Sequence, residues 1–143
     1  MRNTAGAYWR ASFKTGSRCL VPVTAFCEYQ DGSKVPTWFA RLAIEGDTRP
    51  LFFFAGITRT WTGTRGTKDE PVEGTHRLYS LLTTEPNAID KPVHSKDVPV
   101  ILTEPAELEL WLEGAPEEAL KLQRPAEEGI LTIISTGPRD DKG

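Results

Sequence analysis

Cysteine and histidine are scarce in this sequence, which has two of each among 143 residues. Cys19 and Cys27 lie eight positions apart in one strand-like segment, so the sequence does not predict a disulfide framework and we expect reduced thiols. A zinc site would have to combine them with His76 and His94, but no pair has the short spacing of known zinc motifs. We therefore expect neither a metal nor another cofactor.

Long apolar runs are missing too. No stretch approaches the roughly 18 residues that a membrane-spanning helix needs, and the polar opening at 1–14 lacks the apolar centre of a secretory signal. No repeat, low-complexity tract or flexible linker marks a domain boundary. With 38% hydrophobic and 26% charged residues, the chain has enough apolar material for one core. We expect a single soluble, cytoplasmic domain over 1–143.

An excess of positive charge is absent as well, because the formal net charge is −3. This value argues against a protein that coats nucleic acid by bulk attraction. The charges are nevertheless uneven: no acidic residue precedes Arg18, whereas residues 104–128 contain eight glutamates and only two basic residues. The basic front either binds a polyanion on one face or is an ordinary solvated surface.

What the sequence does contain is a series of short strand-like segments. They share aromatic and β-branched residues and are separated by turn signals such as Asp31-Gly32-Ser33. Pro22 indicates an edge or a bulge in the first segment, and residues 60–74, rich in Gly, Thr and charge, are predicted to form a loop. The predicted strands are 19–29, 37–44, 51–57, 77–84, 98–103 and 130–135.

Helices are predicted at three places. Residues 4–14 form a short one, Pro105 opens a second that carries Trp111 and ends at Gly114, and Pro116 opens a third. Strands and helices do not alternate along the chain. The pattern therefore indicates an α+β fold, with an antiparallel or mixed sheet curled toward a barrel and short helices at one end.

Two titratable residues lie beside strand-like runs that are distant in sequence. Glu28 stands within Phe26-Cys27-Glu28-Tyr29, and His94 shortly precedes Pro99-Val100-Ile101-Leu102. Brought into one cleft, a carboxylate and an imidazole can act as an acid/base pair, because imidazole exchanges its proton near neutral pH. Other chemistries fit less well: residues 63–68 lack the spacing of a phosphate-binding loop, and no serine sits on a nucleophile elbow.

The order of these blocks resembles one known family. The blocks are Arg18-Cys19-Leu20-Val21-Pro22, Phe26-Cys27-Glu28-Tyr29, Phe54-Ala55-Gly56-Ile57 with Trp61, Leu82-Thr83-Thr84-Glu85-Pro86-Asn87, and His94 with Pro99-Val100-Ile101-Leu102. Together they resemble the SRAP family, the SOS response-associated peptidases, which process abasic sites in single-stranded DNA. The resemblance runs from Arg2 to about Leu112.

The resemblance implies an unusual chemistry. Family members remove their initiator methionine and expose a cysteine, whose α-amine and thiol trap the aldehyde of a ring-opened abasic site as a thiazolidine crosslink. An α-amine suits this step because its pKa, about 7.7 to 8, leaves much of it deprotonated at neutral pH. The family thus combines self-processing peptidase and abasic-site lyase activities, and its partner is single-stranded DNA at the bacterial nucleoid.

The resemblance also implies roles for individual residues. Glu28 matches a glutamate that assists methionine removal and moves protons around the Schiff base, although a strand-end carboxylate paired with an arginine is the ordinary alternative. His94 matches a histidine that opens the deoxyribose ring and supports β-elimination. Thr83 matches a threonine that hydrogen-bonds the lesion sugar or its phosphate. Arg2 and Arg18 would contact DNA, since guanidinium groups suit phosphates.

The beginning of the sequence departs from the family pattern. It reads Met1-Arg2-Asn3, the catalytic cysteine has no counterpart, and we expect stable crosslinking to be lost. Cys19 and Cys27 cannot replace it, because the nitrogen of an internal cysteine is an amide. Three hypotheses remain: an incomplete SRAP enzyme that still handles abasic sites, a noncovalent single-strand-binding module, and an inactive fragment. We expect a monomer.

Overall fold

The structure is a computed structural model that describes residues 11–14, 16–93 and 96–137. Short strands dominate these residues, and the helices follow one another near the C-terminal end. The strands are β1 (Arg18–Val23), β2 (Phe26–Tyr29), β3 (Pro36–Arg41), β4 (Phe52–Gly66), β5 (Pro71–Leu81), β6 (Thr83–Thr84), β7 (Val98–Pro99), β8 (Ile101–Leu102) and β9 (Leu131–Thr136). The helices are α1 (Pro105–Glu113) and α2 (Pro116–Ala119), and 3₁₀ turns form at Ala11–Phe13 and Leu120–Leu122.

The strands form antiparallel sheets around a central strand, β4. The main sheet has the order β1-β4-β5, and β8 also pairs with β4. A second sheet has the order β2-β3-β9, and β6 pairs with β7. These findings confirm the predicted α+β class with short helices. Within the described chain the sheets are separate and do not close into a barrel.

The first half of β4 is buried on both faces, because side chains alternate along a strand and each face meets a different core. The helix-side core comprises Phe13, Ala55, Ile57, Leu82, Val100, Leu102, Trp111, Ala119 and Leu122. The sheet-side core comprises Phe26, Phe39, Phe52, Phe54, Val93, Ile101 and Leu131. The main sheet therefore lies between the helices and the second sheet.

Helix α1 has the ends that the sequence predicts. Pro105 opens it, and the Glu107 carboxylate reaches back to accept a hydrogen bond from the Glu104 amide at 3.1 Å. The Gly114 amide closes it by donating to the Leu110 carbonyl at 2.9 Å. These caps satisfy backbone groups that a free helix end would leave without partners.

Several sequence predictions differ from the structure. The loop predicted at 60–74 is wrong, because β4 continues to Gly66 and β5 begins at Pro71, leaving a turn at 67–70. The single strand predicted at 19–29 breaks at residues 24 and 25 into β1 and β2, which belong to different sheets. Of the helix predicted at 4–14, residues 11–13 form a 3₁₀ turn, and residues 4–10 lie outside the described chain.

Candidate active site

Glu28 lies near the end of β2, on the side of the strand that faces the sheet-side core. Alternation places its side chain on the same face as Phe26, a member of that core. Its partner across the β2–β3 pair is Thr37, which is fully buried. Glu28 itself is half-buried. Glu28 therefore stands at the edge of the sheet-side core, partly shielded from water.

The turn that follows Glu28 is joined to the segment that leads to His94. The amide of Asp31 donates a hydrogen bond to the carbonyl of Val93 at 2.9 Å. Val93 is 9% exposed and belongs to the sheet-side core. His94 and Arg2 both lie outside the described residues. The structure thus joins the turn after Glu28 to the last described residue before His94, and the pairing of Glu28 with His94 stays a prediction.

The loop that leads to Val93 is shaped by Asn87. Its Oδ1 accepts hydrogen bonds from the amides of Ile89 and Asp90, both at 3.0 Å. Its Nδ2 donates to the carbonyl of Ala126 at 3.2 Å. Asparagine often organises a turn in this way, because its side chain replaces a backbone hydrogen-bonding group. The loop therefore has a defined path toward the site.

Thr83 begins β6, directly after the fully buried Leu82. Leu82 packs in the helix-side core, whereas Leu81 packs against the sheet-side core, so alternation directs Thr83 toward the second of these. The carbonyl of Thr83 accepts a hydrogen bond from Gln123 Nε2 at 3.0 Å. Thr83 is half-buried, as Glu28 is.

The segments that bear Glu28, Thr83 and the residue before His94 therefore all pack against the sheet-side core. Each contributes a neighbouring apolar side chain to the sheet-side core or its edge, from β2, β5 and the loop before β7. A carboxylate can take up and release a proton there, and a threonine hydroxyl can hydrogen-bond a sugar or a phosphate.

Arg18 lies on the other side of the main sheet, against α1. It is only 4% exposed, and its guanidinium lies 5.7 Å from the centre of the Trp111 ring. Its Nη2 donates a hydrogen bond to the carbonyl of Gly114, where the helix dipole is negative. Burial lowers the pKa of Arg18, and the nearby Glu113 carboxylate opposes this effect. These contacts give Arg18 a packing role; its predicted contact with DNA stays a prediction.

Comparison with known families now adds to this geometry. The chain matches the family described as SOS response associated peptidase (SRAP) over residues 3–137. The chain belongs to the SRAP family. Membership confirms the resemblance seen in the sequence. Comparison with curated protein sequences gives no significant match.

Two crystal structures share the fold of this SRAP protein. One is of a protein from Bacteroides thetaiotaomicron, with a TM-score of 0.71 and 24% sequence identity. The other is of a protein from Bordetella bronchiseptica, with a TM-score of 0.65 and 20% identity. Each alignment covers 92% of this chain, but only 55% and 61% of the two crystallised chains. At these identities the similarity establishes the fold alone.

The described residues of this SRAP protein hold no group of three or more His, Cys, Asp or Glu side chains that could bind a metal ion. Neither Cys19 nor Cys27 forms a disulfide. Burial raises the pKa of the Cys19 thiol, and the positive charge of Arg77 opposes this effect. In the same part of the chain, no helix is long and apolar enough to cross a membrane.

Sequence reasoning missed one group of surface side chains in this SRAP protein. Lys14, Arg59 and Arg77 line a polar cavity beside the β4–β5 hairpin, and Trp61 lines a neighbouring one. The predicted loop at 60–74 conceals this arrangement. The alternation Thr, Arg, Thr, Trp, Thr over residues 58–62 is the signal that could have found it, because period-two alternation is typical of a strand with two distinct faces.

Proposed function

We propose that this SRAP protein recognises abasic sites in single-stranded DNA and moves protons at the lesion sugar. Glu28 and His94 are the proton-transferring groups, and Thr83 hydrogen-bonds the sugar or its phosphate. Arg2 contacts a flanking phosphate. The family membership supports a DNA substrate, and the residue roles follow the SRAP pattern in the sequence.

One observation carries the proposal. The Asp31 amide bonds to the Val93 carbonyl at 2.9 Å, which ties the strand end of Glu28 to the segment that leads to His94. Glu28 and Thr83 are both half-buried, and their neighbours Phe26 and Leu81 pack in or against the sheet-side core. A half-buried carboxylate of this kind suits acid/base catalysis.

The proposed reaction needs proton transfers at two stages. The abasic sugar opens when its C1′ hydroxyl gives up a proton, O4′ takes one up and the C1′–O4′ bond breaks, which leaves an aldehyde at C1′. A base then removes a proton from C2′, the electrons of that C–H bond form the C2′=C3′ double bond, and the 3′ phosphate leaves with the electrons of the C3′–O bond. We assign Glu28 and His94 to the giving and taking of these protons, since both side-chain types do so at cellular pH.

Neither described cysteine serves as the family's crosslinking nucleophile. Thiazolidine formation needs an amine and a thiol on one residue. Cys19 lies within β1 and Cys27 within β2, so the nitrogen of each is a peptide amide without a basic lone pair. Their thiols are therefore spectators in the proposed reaction.

Strand cleavage at a single abasic site tests the proposal. The full chain is incubated with a labelled single strand that carries one abasic site, and with an intact strand of the same sequence. We expect tighter binding of the abasic strand and a cleaved 3′ product. Glu28→Gln should slow cleavage by about 10²- to 10⁴-fold, the usual contribution of a general acid/base, and should change affinity little.

Glu117→Gln is the matched control, because it removes the same charge from an exposed position in α2. It should cleave at the unchanged rate. Thermal melting of both variants separates lost chemistry from lost folding. Equal affinity for abasic and intact strands, or equal cleavage rates for Glu28→Gln and Glu117→Gln, would contradict the proposal.

A further inference from the structure

The β4–β5 hairpin extends well past the rest of the main sheet. Strand β1 pairs only with the Phe52–Ile57 half of β4, and β8 only with Phe53 and Phe54. Beyond this point the described strands pair only with each other, up to Gly66 and Pro71. At about 3.3 Å per residue, residues 58–66 make an arm of about 30 Å. We call residues 58–66 and 71–79 the ribbon.

A polar cavity of about 440 Å³ opens at the base of the ribbon. Lys14, Arg59 and Arg77 line it, and all three side chains are exposed. The hydroxyl-bearing residues Thr58 and Thr60 line it too, and its described walls contain no carboxylate. The three cations and the hydroxyl groups give the described part of this cavity the positive charge and the hydrogen-bond donors that an anion site needs, even though the chain as a whole is acidic.

A second cavity of about 360 Å³ adjoins the first, and both have Arg59 in their walls. Its other walls include the apolar side chains of Ile57 and Leu78 and the indole of Trp61. Arg59, Trp61 and Ile57 alternate along one face of β4, so the cavity continues the helix-side face of the sheet outward. A charged site therefore lies directly beside an aromatic one.

The indole of Trp61 is held in a fixed orientation although the residue is 40% exposed. The His76 ring faces it across the strand pair at an inclination of 29°, with 6.1 Å between ring centroids. The indole also covers Gly63, where an added Cβ would lie 2.5 Å from the ring. His76 is in turn joined to the Val72 carbonyl at 3.2 Å. A pre-positioned aromatic surface loses little entropy when a flat ligand stacks on it.

We propose that the base of the ribbon binds one nucleotide unit. Its phosphate lies among Lys14, Arg59 and Arg77, and its base stacks against Trp61 in the adjoining cavity. Arginine favours phosphate by paired hydrogen bonds, and every nucleobase has a flat face that stacks on indole. A free nucleotide and a unit of a DNA strand share this chemistry. The site does not depend on the role assigned to Glu28.

Affinity measurements with two double variants test the phosphate part. Arg59→Gln with Arg77→Gln removes two charges at the cavity, and Arg65→Gln with Lys68→Gln removes two exposed charges at the ribbon tip. For an intact thymidine oligomer, the first pair should lower affinity about tenfold or more, since a charge-assisted contact contributes more than 1.4 kcal/mol. The negative slope of log affinity against log salt concentration should become shallower by about 0.7, the value for one phosphate contact. The second pair should change affinity less than about twofold.

Trp61 is tested in the same titrations. Trp61→Ala should weaken the oligomer about fivefold or more, the lower end of the stacking range, whereas Trp61→Phe should retain most of the affinity. Thymidine monophosphate and inorganic phosphate are added as competitors. Competition by the monophosphate but not by phosphate points to free nucleotides as the ligand, and binding of the oligomer alone points to a DNA strand.

Two results would overturn the inference: equal losses in the two double variants, which indicates bulk charge only, or unchanged affinity in Trp61→Ala. The outcome is separable from that of the lesion chemistry. Arg59→Gln with Arg77→Gln should weaken the binding of abasic and intact strands by the same factor, so that the preference for the abasic strand is kept. Glu28→Gln should instead slow cleavage and leave the affinity for both strands nearly unchanged.

Discussion

The two halves of β4 form one continuous strand in opposite surroundings. Phe52–Ile57 has a neighbouring strand along each edge and a core on each face. Four of its residues are less than 7% exposed and belong to the two cores. Residues 58–66 pair with β5 alone among the described strands, and their side chains are mostly exposed. The backbone is the same in both halves. The side chains decide that one half stabilises the fold and the other presents a binding surface.

The two described tryptophans nearest this boundary show the same contrast. Trp111 is fully buried in the helix-side core, and its Nε1 donates to the carbonyls of Cys19 and Gly56 at 2.9 and 3.1 Å. Trp61 packs on a glycine and a histidine at the surface and makes no contribution to either core. Large aromatic residues therefore serve packing in one region and ligand contact in the other.

Replacing each tryptophan by alanine should reveal the largest difference between the two regions. Trp111→Ala should lower the free energy of unfolding by about 3–5 kcal/mol, because it leaves a large cavity and removes the indole N–H that donates to both carbonyls. Trp61→Ala should lower it by about 1 kcal/mol or less, as expected at an exposed site. Urea unfolding followed by circular dichroism measures both. Similar losses would show that the ribbon is part of the cooperative core.

Two glycines of β4 offer a finer comparison. A Cβ at Gly56 would lie 2.8 Å from Cys19 Sγ and 3.3 Å from the Ser80 carbonyl, so Gly56→Ala should destabilise the fold by about 1–3 kcal/mol. A Cβ at Gly63 would meet only the end of the Trp61 indole, which can move away. Gly63→Ala should therefore change stability by about 0.5 kcal/mol or less.

Affinity for the thymidine oligomer is a second measurement that separates the two glycine variants. Gly63→Ala displaces the Trp61 ring, so its affinity for the thymidine oligomer should fall toward that of Trp61→Ala. Gly56→Ala lies in the buried half and should bind normally while it remains folded. If Gly63→Ala binds as tightly as the unmodified protein, the fixed orientation of the indole has no function.

The sequence predicts much of the fold where local signals are strong. Pro105 and Gly114 mark the ends of α1 correctly, because proline suits the first helical turn and glycine suits the position after the last. The antiparallel α+β class follows from the short strands. The extension of β4 does not, because residues 58–66 are rich in Gly, Thr and charge, and cross-strand pairing with β5 overrides that local tendency.

The candidate site is predicted less completely, and for a different reason. Sequence order singles out Glu28 and His94, but only a tertiary contact, the hydrogen bond from the Asp31 amide to the Val93 carbonyl, shows that the turn after Glu28 meets the segment before His94. The sequence also offers Arg18 as a DNA contact without revealing that Trp111 and Gly114 surround it. Motifs specify which residues belong to a family pattern, whereas packing decides which of them face a ligand.

The prediction with the smallest expected effect concerns Cys19, which contacts the buried half of β4 and senses the charge of the ribbon. It pairs with Gly56 in the buried half, while Arg77 of the ribbon partly offsets the effect of burial on its pKa. Burial raises the pKa of Cys19 in the folded protein above its value of about 8.5 in the unfolded chain. The stabilisation that the neutral thiol gives is therefore fully present below that pH. This stabilisation should be lost as the pH rises through the folded pKa.

Alkylation of the thiol reports this coupling directly. In a Cys27→Ser background Cys19 is the only thiol, and its reaction with iodoacetamide should be slow at neutral pH because the thiolate is the nucleophile. Arg77→Gln removes the cation that favours the thiolate, so the pH at which labelling accelerates should move upward. Arg65→Gln, at the far end of the ribbon, should leave it in place. An unchanged profile in Arg77→Gln would mean that the charges at the base of the ribbon do not reach the buried half of the sheet.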